Sequence, residues 1–119
     1  RLALPRYIAH RCGGVLAPEN TLAGLQVAAA RGCQAVEFDV MLSGDGTPVL
    51  IHDETLERTT NGIGPVCKTP DAVLFSLDAG QGERIPTLVE AAALCQRRGL
   101  LANVEIKPAA GFEVQTGEV

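Results

Sequence analysis

Several features of common protein classes are missing from this sequence of 119 residues. No apolar run approaches the roughly 20 residues of a membrane-spanning helix, so stable membrane insertion is not expected. Lysine and arginine form no cluster and the formal net charge is only -4, so the electrostatic footprint of a nucleic-acid-binding protein is missing. No repeat, heptad pattern or low-complexity tract occurs. We therefore expect one globular domain that acts on a small charged molecule.

Paired cysteines are also missing, since none of the four cysteines forms a Cys-x-x-Cys motif. This spacing argues against a zinc ribbon or a disulfide framework and favours reduced thiols in a cytoplasmic protein. No basic segment followed by an apolar one opens the chain, as it would in a secretory signal. The sequence starts at Arg1 rather than Met, which is compatible with a leader that has been removed.

Histidine is scarce, and the two that are present, His10 and His52, each close a short apolar run. Charged residues in two further motifs also lie inside apolar stretches, namely Glu37-Phe38-Asp39 and Glu105-Ile106-Lys107. An unpaired charge in apolar surroundings costs several kcal/mol or changes its protonation state. These side chains are therefore predicted to share one catalytic centre.

Hydrophobic periodicity predicts four strands, at residues 8–11, 35–42, 48–52 and 101–107. A first helix begins at Leu22 with Asn20 or Thr21 as its N-cap and is closed by Gly32. Strands that alternate with helices indicate βαβ units and a parallel sheet. The strand at 48–52 is predicted to be a hairpin partner of the second strand, which leaves three main strands. Three are too few for a closed barrel, so we expect the front part of a larger domain. The exposed strand edges of such a part would allow self-association into a homo-oligomer.

A second helix follows a capping box that runs from Thr87 to Glu90, and it ends before Gly99. Its predicted buried face consists of Leu88, Ala91, Ala92 and Cys95. Frequent turn-forming dipeptides predict that residues 54–85 form an irregular insertion with one short helix near 70–75. Such a connection is long for a βα loop, which suggests a functional role.

Residues two apart on a strand point to the same face, so Glu37 is predicted to point with Asp39 and Glu105 with Lys107. On neighbouring parallel strands these side chains would place three carboxylates beside one ammonium group. Carboxylate oxygens suit a hard cation such as Mg²⁺ or Ca²⁺ better than zinc. The alternative is a cluster of salt bridges in which Glu105 pairs with Lys107 and Glu37 with Arg11.

Histidine titrates near neutral pH, so His10 and His52 can act as a base and acid pair. The alternative is that each is an ordinary surface or hydrogen-bonded residue. Arg11 and Lys107 add fixed positive charge that suits a phosphate or another anion. The residues thus predict metal-assisted attack at a phosphoryl centre, with one histidine activating the nucleophile and the other protonating the leaving group.

Seven motifs follow one another in the chain: Ile8-Ala9-His10-Arg11, Ala17-Pro18-Glu19-Asn20-Thr21, Val36-Glu37-Phe38-Asp39-Val40, Asp45-Gly46, His52-Asp53, Leu56-x-Arg58-Thr59-Thr60-x-Gly62 and Glu105-Ile106-Lys107. Their types and order strongly resemble the glycerophosphodiester phosphodiesterases, and look most like the bacterial cytoplasmic type that hydrolyses deacylated phospholipids. The resemblance implies the N-terminal portion of a (β/α)8 TIM barrel, with about three of eight βα units. Residues 1–119 would then be a partial catalytic domain with an insertion at about 43–85, after the second strand.

The resemblance also implies a role for each matching residue: Glu37, Asp39 and Glu105 as ligands of one Mg²⁺ or Ca²⁺ ion, Arg11 and Lys107 as phosphodiester contacts, and His10 and His52 as general base and general acid. The implied reaction is attack by the substrate's own glycerol hydroxyl on phosphorus, which gives a cyclic phosphate and a free alcohol. Water then opens the ring to glycerol 3-phosphate. Glu19 and Asn20 would organise the first loop, with capping of the first helix as the alternative role.

Two departures from the family pattern are visible. Cys12 follows His-Arg where the family usually has glycine, and a positive φ there would strain the backbone. The chain is also much shorter than the roughly 250 residues of a typical barrel. Two alternatives therefore stay open: a related phospholipase-type phosphodiesterase, or a truncated, non-catalytic fragment that binds metal or phosphate.

Overall fold

The computed structural model describes residues 17–107 and the backbone of residues 8–10. Its elements in chain order are β1 (Ile8–His10), α1 (Leu22–Ala30), β2 (Ala35–Leu42), β3 (Pro48–Leu50), α2 (Asp71–Leu74), α3 (Leu88–Arg98) and β4 (Leu101–Ile106). The predicted order of elements is confirmed. Strand β3 ends two residues and β4 one residue earlier than the periodicity predicts, and residue 11 of the predicted first strand lies outside the described residues.

Strand β2 is the centre of the sheet. Strands β1 and β4 pair with it in parallel, and β3 pairs with it antiparallel. Because β4 occupies one edge of β2 along residues 35–40, β1 and β3 lie end to end along the other edge. The C-terminal ends of β1 and β3 therefore point toward each other along that edge. The backbone of His10, which ends β1, and the residues that follow β3, which include His52, thus reach the same stretch of β2.

The main core fills the space between β2 and the two long helices. Val36, Phe38 and Val40 are almost completely buried and pack against residues of α1, α3 and their flanks, namely Leu25, Ala28, Ala91, Leu94, Cys95 and Leu100. The predicted buried face of α3 is wrong at one position, since Ala92 is exposed and Leu94 is buried in its place. Positions 91, 94 and 95 follow the three- and four-residue spacing of one helix face, whereas position 92 lies about 100° away from 91.

A second core lies under the long connection between β3 and α3. Met41, Val49 and Ile51 supply one side of it, and the connection supplies the other with Leu56, Val66, Leu74, Ala79 and Ile85. Gly62 allows the connection to fold tightly, because a Cβ atom at that position would lie 2.5 Å from the Leu77 side chain. The predicted insertion thus has its own apolar interior and holds the end of β3 in place.

Both long helices begin at a side-chain cap. The Thr21 hydroxyl accepts a hydrogen bond from the Gly24 N–H at 3.1 Å, so Thr21 rather than Asn20 is the N-cap of α1. The predicted capping box at Thr87 and Glu90 is confirmed by hydrogen bonds in both directions. Gly99 ends α3 with a φ of 68°, a left-handed conformation that favours glycine.

Strand β4 forms the open side of the sheet. Its residues 101–105 are exposed, and within the described part of the chain it pairs with β2 alone. Among residues 17–107 no helix is both long and apolar enough to cross a membrane.

Candidate active site

The candidate active site is built around the C-terminal half of β2. The Ile51 N–H donates to the Asp39 carbonyl at 3.0 Å, which carries the pairing one step beyond the end of β3 and places His52 beside β2. The Lys107 N–H donates to the Val40 carbonyl at 2.9 Å from the opposite edge. The polar residues that follow β3 and end β4 are thus both tied to the same strand.

The three predicted metal ligands occupy one face of two neighbouring strands. Asp39 and Glu105 are register partners in the parallel pair of β2 and β4, and register partners point to the same side of a sheet. Glu37 lies two residues before Asp39 on that same side. The register partner of Glu37 on the other edge of β2 is His10.

Asp39 is almost completely buried and is held by Asn20. Asn20 Nδ2 donates to Asp39 Oδ2 at 3.2 Å, and the Asp39 N–H donates to Asn20 Oδ1 at 3.1 Å. Asn20 itself is only 3% exposed and has a φ of 55°, a conformation that asparagine tolerates better than most residues. The amide of Asn20 therefore fixes the orientation of a predicted metal ligand instead of capping α1.

Replacing Asn20 with alanine is expected to destabilise the fold by about 2–4 kcal/mol. The change leaves hydrogen-bonding groups of the buried Asp39 without a partner and puts alanine in a left-handed conformation. Gln81 is a matched control, because it also has a positive φ, of 53°, but is exposed. Urea unfolding of Asn20→Ala and Gln81→Ala separates the two effects. Equal losses would show that the contact with Asp39 contributes nothing.

His52 contacts the carboxylate that follows it in sequence. His52 Nδ1 lies 2.8 Å from Asp53 Oδ1. The pKa of the Asp53 carboxyl lies well below its ordinary value, first because Arg58 donates hydrogen bonds to it and then because His52 does. An ionised carboxylate can only accept hydrogen bonds, so His52 Nδ1 is the protonated nitrogen of this contact.

One open pocket collects three of the predicted site residues. It has a volume of about 690 Å³ and is lined by Met41, His52, Asp53, Glu54, Thr55, Glu105, Ile106 and Lys107. The predicted general acid His52, the predicted metal ligand Glu105 and the predicted phosphate contact Lys107 thus line the same pocket. Glu37 and Asp39 do not line this pocket, and no three His, Cys, Asp or Glu side chains of the described residues lie close enough to hold a metal ion.

Some predicted site residues cannot be placed. Arg11, and Cys12 beside it, lie outside the described residues, and for His10 the backbone alone is described. Of the alternative salt bridges, the pair of Glu37 with Arg11 also involves an undescribed residue. The pair of Glu105 with Lys107 is not among the ion pairs that residues 17–107 form.

Comparison with known proteins identifies the family. The model of the glycerophosphoryl diester phosphodiesterase family matches residues 10–117. The chain belongs to this family. Glycerophosphodiester phosphodiesterase 1 of Mus musculus is 41% identical over 109 residues, which cover 84% of the chain and 33% of the mouse protein. Glycerophosphodiester phosphodiesterase of Caldanaerobacter subterraneus is 45% identical over 107 residues, which cover 84% of the chain and 44% of that protein.

Solved structures of this family share the fold. An Oleispira antarctica phosphodiesterase in complex with the product sn-glycerol-3-phosphate is 51% identical, with a TM-score of 0.92 over 95% of this chain and 49% of that one. Glycerophosphodiester phosphodiesterase from Agrobacterium tumefaciens is 34% identical, with a TM-score of 0.83. The chain thus spans about half the length of these structures and has the fold of the N-terminal part of a family (β/α)8 barrel, as predicted.

Sequence reasoning missed three contacts of this site: Asn20 with Asp39, Arg58 with Asp53, and Arg58 with Glu19. The partners of two of these contacts are 19 and 39 residues apart, beyond the reach of any local periodicity. The signal that could have found them is the motif series itself, which contains all five residues.

Proposed function

We propose that the protein hydrolyses glycerophosphodiesters to glycerol 3-phosphate and an alcohol. The observation that carries this proposal is the pocket that brings His52, Glu105 and Lys107 together in a member of this family. A 51%-identical phosphodiesterase holds sn-glycerol-3-phosphate as its product, which supports the same product here. The substrate is then a small phosphodiester with glycerol on one side of phosphorus.

In this proposal the two histidines exchange protons with the substrate. His10 is the general base that takes the proton of the attacking hydroxyl, and His52 is the general acid that protonates the leaving alcohol. The contact of His52 Nδ1 with Asp53 supports this role, because Nδ1 keeps its proton against the carboxylate while Nε2 of the imidazolium form carries the proton that goes to the leaving alcohol. The strands that precede the two residues approach the same stretch of β2 from opposite directions along one edge.

Cationic side chains neutralise the phosphodiester in this proposal. Lys107 lines the pocket that also contains His52, so its ammonium group can contact a phosphate oxygen there. Arg11, which follows β1 directly in sequence, would supply a guanidinium group as the second contact to the phosphodiester. Together the two cations would stabilise negative charge that develops on phosphate oxygens during attack.

Glu37, Asp39 and Glu105 would hold one divalent cation. The donor set is purely carboxylate oxygen and lies on one face of adjacent strands, which is the chemistry that suits Mg²⁺ or Ca²⁺. In the described residues the three side chains are not gathered within ligand distance of one point, so binding would require them to converge around the ion. Such an ion supplies charge stabilisation at phosphate oxygens when bound.

Turnover of glycerophosphocholine tests the proposal. The protein at its full natural length is expected to release glycerol 3-phosphate, measured in a coupled assay with glycerol 3-phosphate dehydrogenase. EDTA is expected to lower the rate, and added Mg²⁺ or Ca²⁺ to restore it, because the carboxylate set binds hard cations.

Three outcomes would contradict this proposal. A rate that is unaffected by EDTA would exclude the cation from the reaction. Activity on lysophosphatidylcholine or sphingomyelin without activity on glycerophosphocholine would favour a phospholipase-type relative, and binding of glycerophosphocholine without turnover would favour a non-catalytic fragment.

A further inference from the structure

We propose that Asp53, Arg58 and Glu19 are positioning residues that set the orientation and tautomer of His52. This inference rests on the proposed function, in which His52 transfers a proton. The three residues come from two segments: Glu19 precedes α1, and Asp53 and Arg58 lie five residues apart in the long connection that follows β3. None of the three is assigned to substrate or metal.

Arg58 joins the two carboxylates with four hydrogen bonds. Its Nε donates to Asp53 Oδ2 at 2.7 Å and its Nη2 to Asp53 Oδ1 at 2.9 Å. Its Nη1 and Nη2 donate to the two carboxylate oxygens of Glu19, both at 2.9 Å. The planar guanidinium group therefore makes a two-pronged contact with each carboxylate, which fixes the rotation of both.

The fixed rotation of Asp53 is transmitted to the histidine. Asp53 Oδ1 accepts both from Arg58 and from His52 Nδ1, so the position of this oxygen sets the plane of the imidazole ring. Arg58 also keeps the Asp53 pKa well below its ordinary value, so the carboxylate stays ionised and demands a proton on Nδ1. Glu19 anchors Arg58 from a loop 39 residues earlier in the chain.

A purely structural role does not explain this arrangement well. The Arg58 side chain is 47% exposed, and exposed ion pairs add little to stability because solvent screens them and side-chain entropy opposes them. The main effect of the four hydrogen bonds of the exposed Arg58 is therefore to fix the orientation of the Asp53 and Glu19 carboxylates. The geometry that these bonds determine is that of His52, which lines the pocket beside Glu105 and Lys107.

The kinetic test compares Asp53→Asn, Arg58→Lys and Glu19→Gln in the protein at its full natural length. With glycerophosphocholine, Asp53→Asn is expected to lower kcat about 10²-fold or more, and the other two about tenfold, with little change in KM. Arg58→Lys keeps the charge and loses the two-pronged contact. The matched control is Arg84→Lys, since Arg84 forms a similarly exposed pair with Glu90, neither residue lines the pocket, and the variant should keep wild-type kcat.

A double-mutant cycle separates positioning from a general structural effect. If Asp53 acts through His52, Asp53→Asn costs nothing further in a His52→Ala background. Additive losses in kcat, or wild-type kcat in Asp53→Asn and Arg58→Lys, would overturn the proposal.

The nitrogen spectrum of the imidazole gives a readout that does not depend on turnover. In protein with ¹⁵N-labelled histidine, the signals lost in His52→Ala belong to His52. At a pH where the ring is neutral, wild type is expected to show the tautomer protonated on Nδ1, and Asp53→Asn a gain of the tautomer protonated on Nε2. An unchanged tautomer would refute the positioning role, whereas absence of glycerophosphocholine turnover in wild type would refute only the proposed function.

Discussion

Replacing His52 with alanine is expected to lower kcat/KM for glycerophosphocholine by about 10²- to 10⁴-fold, the range typical of a lost general acid. The reason is that the leaving alcoholate of choline is strongly basic and needs a proton as the bond to phosphorus breaks. Because His52 is partly exposed and follows β3 in a loop, the substitution should leave the fold intact. Circular dichroism and the Tm check that the variant folds.

A second substrate distinguishes the acid from the base. A glycerophosphodiester of 4-nitrophenol has a far more acidic leaving group, so its departure needs no protonation. His52→Ala is therefore expected to recover most of its activity on this substrate, whereas His10→Ala should be impaired on both. Equal impairment of His52→Ala on the two substrates would show that His52 is not the acid. If His10→Ala, and not His52→Ala, recovered activity on the 4-nitrophenol substrate, His10 would be the acid and His52 the base.

The sequence was most informative where one strand is buried on both sides. The bounds of β2 are predicted correctly, because apolar residues at 36, 38 and 40 alternate with carboxylates at 37 and 39. The apolar residues pack in the core, and the carboxylates face the candidate site on the other side of the strand. The same alternation predicted that Asp39 and Glu105 share a face, which the parallel register confirms. A period-two pattern fixes the face of each residue without knowledge of the partner strand.

Contacts between distant segments were beyond that reasoning. The sequence predicts that Asn20 organises the first loop or caps α1, since asparagine is a favoured residue at the start of a helix. In the structure Thr21 takes the cap, and the positive φ of Asn20 turns its amide toward Asp39. Nothing in local periodicity distinguishes these two outcomes, because the second depends on where β2 passes in three dimensions.

Replacing Phe38 with alanine is expected to destabilise the protein by about 3–5 kcal/mol, a large share of the roughly 5–15 kcal/mol that stabilise a typical domain. The Phe38 side chain is 0% exposed and packs in the core between β2 and the two long helices. Its removal leaves a cavity that neighbouring side chains fill only in part. Urea unfolding of the protein at its full natural length measures the loss, and Val89→Ala is the control because Val89 is 77% exposed.

Phe38 also links the core to the candidate site, because it lies between Glu37 and Asp39 on the opposite face of the same strand. A slip of one residue in β2 would move both carboxylates into the apolar core, and the volume of Phe38 opposes such a slip. Phe38→Leu keeps an apolar side chain at this position, so it should lose less stability than Phe38→Ala and keep Mg²⁺ binding, measured by calorimetry below its unfolding temperature. A Phe38→Ala variant that loses less than about 1 kcal/mol would show that the helices, and not this side chain, determine the register that brings Asp39 opposite Glu105.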